Sequence, residues 1–210
     1  MKTDNCSICR RSGMKLFLKG DRCLSPKCAI VKRSYPPGQK KAKRRRSVLS
    51  EFGKELREKQ NLKNWYNLSE SQFSNYVKGI LKKSGKIEDT ATMLIQQLET
   101  RFDNVIFRLG FASSHSQARQ FVGHGHFTVN GRTVNIPSHH LKVGDKIGVR
   151  LASKKKKLFE NIAVILKKRK PASWLKLDAE KLEAEVIGLP TMEDAAPIAE
   201  ISSIFEYYSR

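Results

Sequence analysis

Apolar residues recur at helical spacing from Leu49 onward but scarcely before it. Leu49, Phe52 and Leu56 follow Ser47, which predicts a capped helix over Val48–Gln60 with those three on its inner side. Ser69-Glu70-Ser71-Gln72 has the spacing of a capping box, and behind it Phe73, Tyr76, Val77, Ile80 and Leu81 form one stripe. A third helix is expected at about Asp89–Glu99, carrying Met93, Leu94 and Leu98. These stripes are read as core, and Trp65 and Tyr66 as a plug between helices.

Further along, Phe102, Val105, Ile106 and Leu109 again have the spacing of one buried helical face. Gly110 ends that helix. Ser114, with Gln117 three residues on, has the form of a capping box that starts the next. The second helix keeps Ala118, Phe121 and Val122 for packing and presents Gln117, Arg119 and Gln120. Phe127-Thr128-Val129 and Thr133-Val134 flank Asn130-Gly131-Arg132, a strong signal for a two-stranded hairpin. Leu141–Ile147 reads as a turn and closing strand, Leu158–Leu166 as a short helix, Ala184–Gly188 as a strand and Ile198–Tyr208 as a final helix. Asp103, beside Arg101 at a helix start, is expected to cap or to form an internal ion pair. The fold class is therefore α+β: a mainly helical domain with an inserted module of two helices and a small antiparallel β-sheet.

Charge narrows the function. The chain has 41 Lys and Arg against 20 Asp and Glu, a net +21, which favours polyanions. Residues 1–50 hold 15 basic and 2 acidic side chains, whereas 171–210 hold 3 and 8, so two cationic blocks precede an acidic segment. Six of the seven residues of Lys40–Arg46 are basic, and Lys154–Lys157 and Lys167–Lys170 are further runs. The seven-residue run at 40–46 repels itself and lies still only against a polyanion. The longest apolar stretch, Ile162–Leu166, is far too short for a bilayer, and Met1–Asn5 has no signal core. A cytoplasmic nucleic-acid binder is expected, with no membrane partner. No P-loop, dinucleotide glycine motif or catalytic constellation is present, so no enzyme and no small-molecule substrate are expected. The helix–hairpin unit would offer guanidinium, amide and imidazole groups to a phosphate surface from a rigid scaffold.

The first 45 residues are too polar to build a core alone. Cys6, Cys9, Cys23 and Cys28 form a C-x2-C-x13-C-x4-C pattern. Two close pairs on turns suit the tetrahedral thiolate site of one structural zinc ion, and Lys15, Lys19, Arg22 and Lys27 would offset its charge. An iron–sulfur cluster and free thiols are the alternatives. Disulfides do not fit a chain without a secretion signal.

The stretch RFDNVIFRLGFA at Arg101–Ala112, with QARQ, HGH and VNG after it, resembles the RNA-binding domain of small-subunit ribosomal protein four. The cysteine pattern, YPPGQ at Tyr35–Gln39 and the ending Tyr207-Tyr208-Ser209-Arg210 extend the resemblance to the bacterial-type ribosomal family, in its four-cysteine zinc form, over the whole chain. The resemblance implies a structural component of the small ribosomal subunit. It would bind the 5′ domain of small-subunit rRNA directly, nucleate assembly of the subunit body and contribute to translational accuracy. Its implied protein partners are neighbouring small-subunit proteins, especially protein five, met through the acidic C-terminal segment. The alternative is a ribosome-associated or regulatory RNA-binding factor that binds transiently. The expected domains are a zinc knuckle and basic arm at 1–46, a helical domain at 47–98 plus 160–210, and the RNA-binding module at 99–159. Candidate RNA contacts are Arg44, Arg45 and Arg46 in the arm and Arg108, Ser116, Gln117, Arg119, Gln120, His124 and His126 in the module. Arg132 and Lys142 complete the set, and Arg119→Ala is expected to weaken specific binding more than Lys155→Ala. His115 and His139-His140 depart from the family, which often has arginine at the first position and aromatic and basic residues at the second.

Overall fold

The computed structural model describes residues 4–38, 49–83, 87–160, 162–168 and 171–209. They divide into two units, Met1–Ala91 with Pro197–Arg210, and Thr92–Ala196. Among the described residues, no helix is long and apolar enough to cross a membrane.

The first unit opens with short helices α1 (Asn5–Ser12), α2 (Asp21–Leu24) and α3 (Ala29–Lys32). The long helix α4 (Glu51–Trp65) is capped by Ser50, which accepts the Gly53 N–H at 3.2 Å. That start is three residues later than expected from Ser47, which lies outside the described residues. Its inner face also differs from the expected stripe. Leu49 and Phe52 are each 48% exposed, while Glu55, Lys59, Asn61 and Leu62 are buried. Lys59 accounts for part of this reversal: its ammonium lies 2.7 Å from Glu70 Oε1 and 4.3 Å from the centre of the Tyr207 ring. The aromatic side chains of the C-terminal helix (Ile201–Ser209) thus cover a cation. Glu70 also takes Lys63 at 3.1 Å. Burial pushes its carboxyl up, but hydrogen bonds from the two lysines outweigh this and hold it at about 2.

Helix α5 (Glu70–Leu81) matches its expected form. Ser69 and Gln72 make the complete capping box, and Phe73, Val77 and Ile80 are buried. Tyr66 is buried and meets Trp65 edge-on at 4.6 Å, as a plug should. Helix α6 (Ile87–Glu99) spans the division between the units. It buries Leu94, Ile95 and Leu98 but leaves Met93 41% exposed, against expectation.

The second unit contains α7 (Phe102–Leu109), closed by Gly110 in the left-handed region at φ 92°, and α8 (His115–Gly123). Strands β1 (Phe127–Val129) and β2 (Arg132–Thr133) are joined by Asn130 and Gly131, at φ 49° and 79°. Both central residues thus have positive φ, as a two-residue hairpin turn demands. Strand β3 (Lys146–Val149) closes the three-stranded part, and α9 (Leu151–Lys154), α10 (Lys157–Glu160) and α11 (Ile162–Lys168) follow. Two more strands, β4 (Leu175–Asp178) and β5 (Glu183–Val186), complete an antiparallel sheet of order β2-β1-β3-β5-β4. The short α12 (Met192–Ala195) ends the unit.

Strands β4 and β5 therefore extend the module's sheet, whereas 160–210 was expected to return to the helical domain. The reason is the period-two pattern of β5: Ala184 and Val186 face inward, opposite Ile147 of β3 and Leu175 of β4. On the outer face Glu185 lies between Lys146 and Lys176, a charge alternation that supports this strand order. The inner face covers Phe102, Val105, Ile106, Leu109, Ala118 and Val122, all fully buried in the same core.

Candidate nucleic-acid interface

The two module helices are held by buried charge as well as by apolar packing. Asp103, in the first turn of α7, accepts two hydrogen bonds from Arg101, at 3.1 and 2.9 Å, and two from Arg119 of α8, at 3.1 and 2.8 Å. It also accepts the Asn104 N–H at 3.0 Å; the N-cap position is Arg101 and has no side-chain cap bond, so of the two expected roles the ion pair is the one formed. Glu99, fully buried, receives Arg108 through both its oxygens, at 2.9 and 2.7 Å. The Asn104 amide nitrogen donates to the Glu99 carbonyl at 3.1 Å and to its carboxylate at 2.7 Å. Asn104 Oδ1 is left as the acceptor for His115 Nε2 at 2.9 Å, which places the imidazole hydrogen on Nε2. Burial, followed by the charges of Arg108 and Arg119, pushes His115 down to about 3, so it is neutral in the folded chain.

This network changes the status of the candidate contacts. Arg108 is engaged by Glu99 and by the Ala195 carbonyl at 2.9 Å, and Arg119 is clamped on Asp103 with 29% of its side chain exposed. Ser114 accepts the Gln117 N–H, but the Gln117 carboxamide turns to the Ser113 N–H at 2.8 Å and hydroxyl at 2.9 Å. The expected reciprocal capping box is thus only half formed, because Ser113 competes for the amide oxygen. His126 is buried, its Nδ1 3.0 Å from the Ser153 hydroxyl. Ser116 is partly exposed, and Gln120, His124, Arg132 and Lys142 are exposed. Arg44, Arg45 and Arg46 lie outside the described residues.

The structure joins some of these residues. Gln120 and His124 share the last turn of α8, whose His124 N–H bonds the Gln120 carbonyl at 3.0 Å. The Arg132 hairpin and the Lys142 turn are tied by Asp145, which accepts Asn130 Nδ2 at 2.8 Å and the Lys142 N–H at 2.8 Å. The sequence reading missed Asp145. The Asn-Gly turn and the Gly-Asp pair before β3 were its available signals. His140, one of the departures from the family, has its Nδ1 3.3 Å from the Thr100 hydroxyl. Burial, then Arg101 and His139, lowers its pKa, with Asp103 opposing.

In the first unit Cys6 and Cys9 lie three residues apart on α1, Cys23 is on α2 and Cys28 caps α3, so short helices rather than turns carry them. All four line one small pocket together with Lys19, and Lys19 N–H points at Cys23 Sγ at 3.4 Å. Burial pushes the Cys9 thiol up, opposed by a backbone hydrogen bond at Leu16, and the other three cysteines push it further. Among the described residues, no group of three or more histidine, cysteine or acidic side chains is set to hold a metal ion.

Two family models cover most of the chain: "Ribosomal protein S4/S9 N-terminal domain" over residues 1–99 and "S4 domain" over 100–147. "Small ribosomal subunit protein uS4" of Caldicellulosiruptor saccharolyticus is 50% identical over 207 residues, 98% of this chain and 97% of the relative. The protein of the same name from Thermus thermophilus is 46% identical over 205 residues, 98% and 96% of the two chains. "Small ribosomal subunit protein uS4A" of Alkaliphilus oremlandii is 50% identical over 206 residues, with the same two coverages. The chain belongs to the small ribosomal subunit protein uS4 family. The division between the two uS4 segments falls at Glu99–Thr100, inside the polar network that fixes α7. Strands β4 and β5 lie beyond the matched S4 domain yet complete its sheet.

Proposed function

We propose that the chain is a non-catalytic, structural component of the small ribosomal subunit that binds small-subunit rRNA directly in the 5′ domain. The supporting observation is family membership along almost the whole chain, joined to a net charge of +21. The relatives are ribosomal proteins by name, and the S4 domain here is a rigid scaffold with cations on its surface. Structured RNA is recognised largely through shape, phosphates and 2′-hydroxyls, so rigidly held basic and amide side chains matter more than a base code. Several such surfaces on one chain would fix the angles between RNA helices, nucleate the subunit body and so bear on decoding accuracy. Within the candidate set, Gln120, His124, Arg132 and Lys142 stand free to reach phosphate. Arg108 and Arg119 act chiefly to position α7 and α8. The basic arm Arg44–Arg46 is retained as a contact. Binding to 5′-domain RNA should survive excess tRNA at moderate salt. Complete displacement by tRNA would leave charge alone as the cause and overturn the reading.

Zinc belongs to the same reading. Cys6, Cys9, Cys23 and Cys28 would hold one structural ion, whose role is to cross-link three helices that have only a small core of Cys9, Leu16 and Leu18 behind them. Four thiols sharing one pocket support it. Protein purified without added metal should carry about one equivalent of zinc, removed by chelator with loss of helicity. Well under one equivalent would contradict the assignment, and iron in its place would point to a cluster. The outer face of β4 and β5, with Glu183 exposed, suits a protein neighbour such as small-subunit protein five better than RNA. Crosslinks from Lys176 in assembled subunits should therefore reach protein, and crosslinks to rRNA alone would refute this.

A further inference from the structure

We propose that the corner where β3 leaves the sheet is a phosphate-binding site for rRNA, formed by His124, Arg150 and Lys156 over the buried His126–Ser153 pair. The inference rests on the rRNA-binding reading above and places one of its contacts. The sequence singles out the run Lys154–Lys157 without giving it a role, and Arg150 is not among the candidate contacts.

Three backbone hydrogen bonds build the corner. The Arg150 N–H donates to the His126 carbonyl at 2.9 Å, which pins the end of β3 to the start of β1. Ser153 N–H donates to the Arg150 carbonyl at 2.8 Å, and Lys156 N–H to the Ser153 carbonyl at 3.0 Å. Beneath them His126 Nδ1 meets the Ser153 hydroxyl at 3.0 Å, and the His124 ring stands 5.9 Å from that of His126, edge-on. Lys154 is tied away, its ammonium donating to the Lys181 carbonyl at 2.8 Å. The corner is thus a fixed platform that gathers His124 at the end of α8, Arg150 at the end of β3 and Lys156 in the turn after α9.

Arg150 and Lys156 differ from three other arginines of the module. Arg101, Arg108 and Arg119 are each held by a buried carboxylate. Among the described residues, no ion pair involves His124, Arg150 or Lys156, and all three are exposed. Burial of His126, and then the charges of Lys156, His124 and Arg150 in that order, lower its pKa, so these groups stand close enough to act on one ring. Like charges gathered without a carboxylate are mutually unfavourable, and an RNA phosphate relieves that repulsion. His126, buried and 3.0 Å from the Ser153 hydroxyl, serves as the floor.

The test uses the full-length protein, 5′-domain RNA, excess tRNA and a series of salt concentrations. Arg150→Gln with Lys156→Gln should weaken binding about tenfold and flatten the log-affinity against log-salt slope by about 1.5. Lys176→Gln with Lys181→Gln removes the same charge from the β4 side and should change the slope by less than about 0.5. Arg150→Lys with Lys156→Arg should restore wild-type behaviour, which separates phosphate contact from packing. Equal losses in the two neutralised pairs, with wild-type binding still resistant to tRNA, would overturn this site alone. Wild-type binding that tRNA abolishes would overturn the site and the rRNA reading together.

Discussion

Asp103→Ala is expected to destabilise the Thr92–Ala196 unit by about 3–5 kcal/mol, the largest effect of any single substitution in the polar network. Asp103 is 4% exposed and Arg101 2%, so the deletion takes a buried carboxylate away from a buried guanidinium. The same carboxylate joins α8 to α7 through Arg119 and accepts the Asn104 N–H at the start of α7. Removing Arg119 instead deletes a partly exposed partner and leaves the Arg101–Asp103 pair in place. Arg119→Ala should therefore cost only about 1 kcal/mol. Thermal unfolding followed by circular dichroism separates these cases: for a unit of this size, 3 kcal/mol lowers the midpoint by about 12–24 °C. A midpoint within about 4 °C of wild type would show that Asp103 is not the anchor.

The module is also expected to weaken as pH falls below about 6.5, with His115 a principal cause. Its folded value is near 3, well under the ordinary histidine value, so the unfolded chain binds the extra proton first. Stability is then fully present above the unfolded value and is lost as pH falls toward the folded one. At pH 5 the loss from this residue alone is about 2 kcal/mol, at about 1.4 kcal/mol per pH unit. Burial sets the sign, and the positive charges of Arg108 and Arg119 beside the ring add to it. His126 and His140 are lowered too and act in the same direction, while Glu70 belongs to the first unit and weakens that one only below about 4.5. His115→Gln should be less stable than wild type at pH 7.5 and lose less stability than it between pH 6.5 and 5. Denaturant titrations at both pH values test this, and parallel losses in the two proteins would remove His115 as the source.

The sequence reading succeeded where local chemistry decides the outcome. The Ser69–Gln72 capping box, the Asn130-Gly131 turn and the apolar face of Phe102–Leu109 each need only neighbouring residues, and each is where the pattern put it. It failed where a distant partner decides. Nothing local to α4 reveals that Lys59 is covered by Tyr207 and met by Glu70, so its polar face is buried while Phe52 stays exposed. Strand β4 spans only four residues and is specified by pairing with β5, which periodicity alone does not report. The candidate site shows the same limit. A count of positive charge treats Arg108, Arg119 and Arg150 alike, yet carboxylates hold the first two. The family resemblance located the module, and the ion pairs sort its cations into those that hold the helices and those that face outward.

The most direct test of the central claim is the stoichiometry of the chain in purified small subunits after a high-salt wash, measured by quantitative mass spectrometry against several other small-subunit proteins. A structural component remains at one copy per subunit through the wash, and that is the predicted result. A substoichiometric level that falls further with salt would contradict it and identify a transient ribosome-associated factor instead.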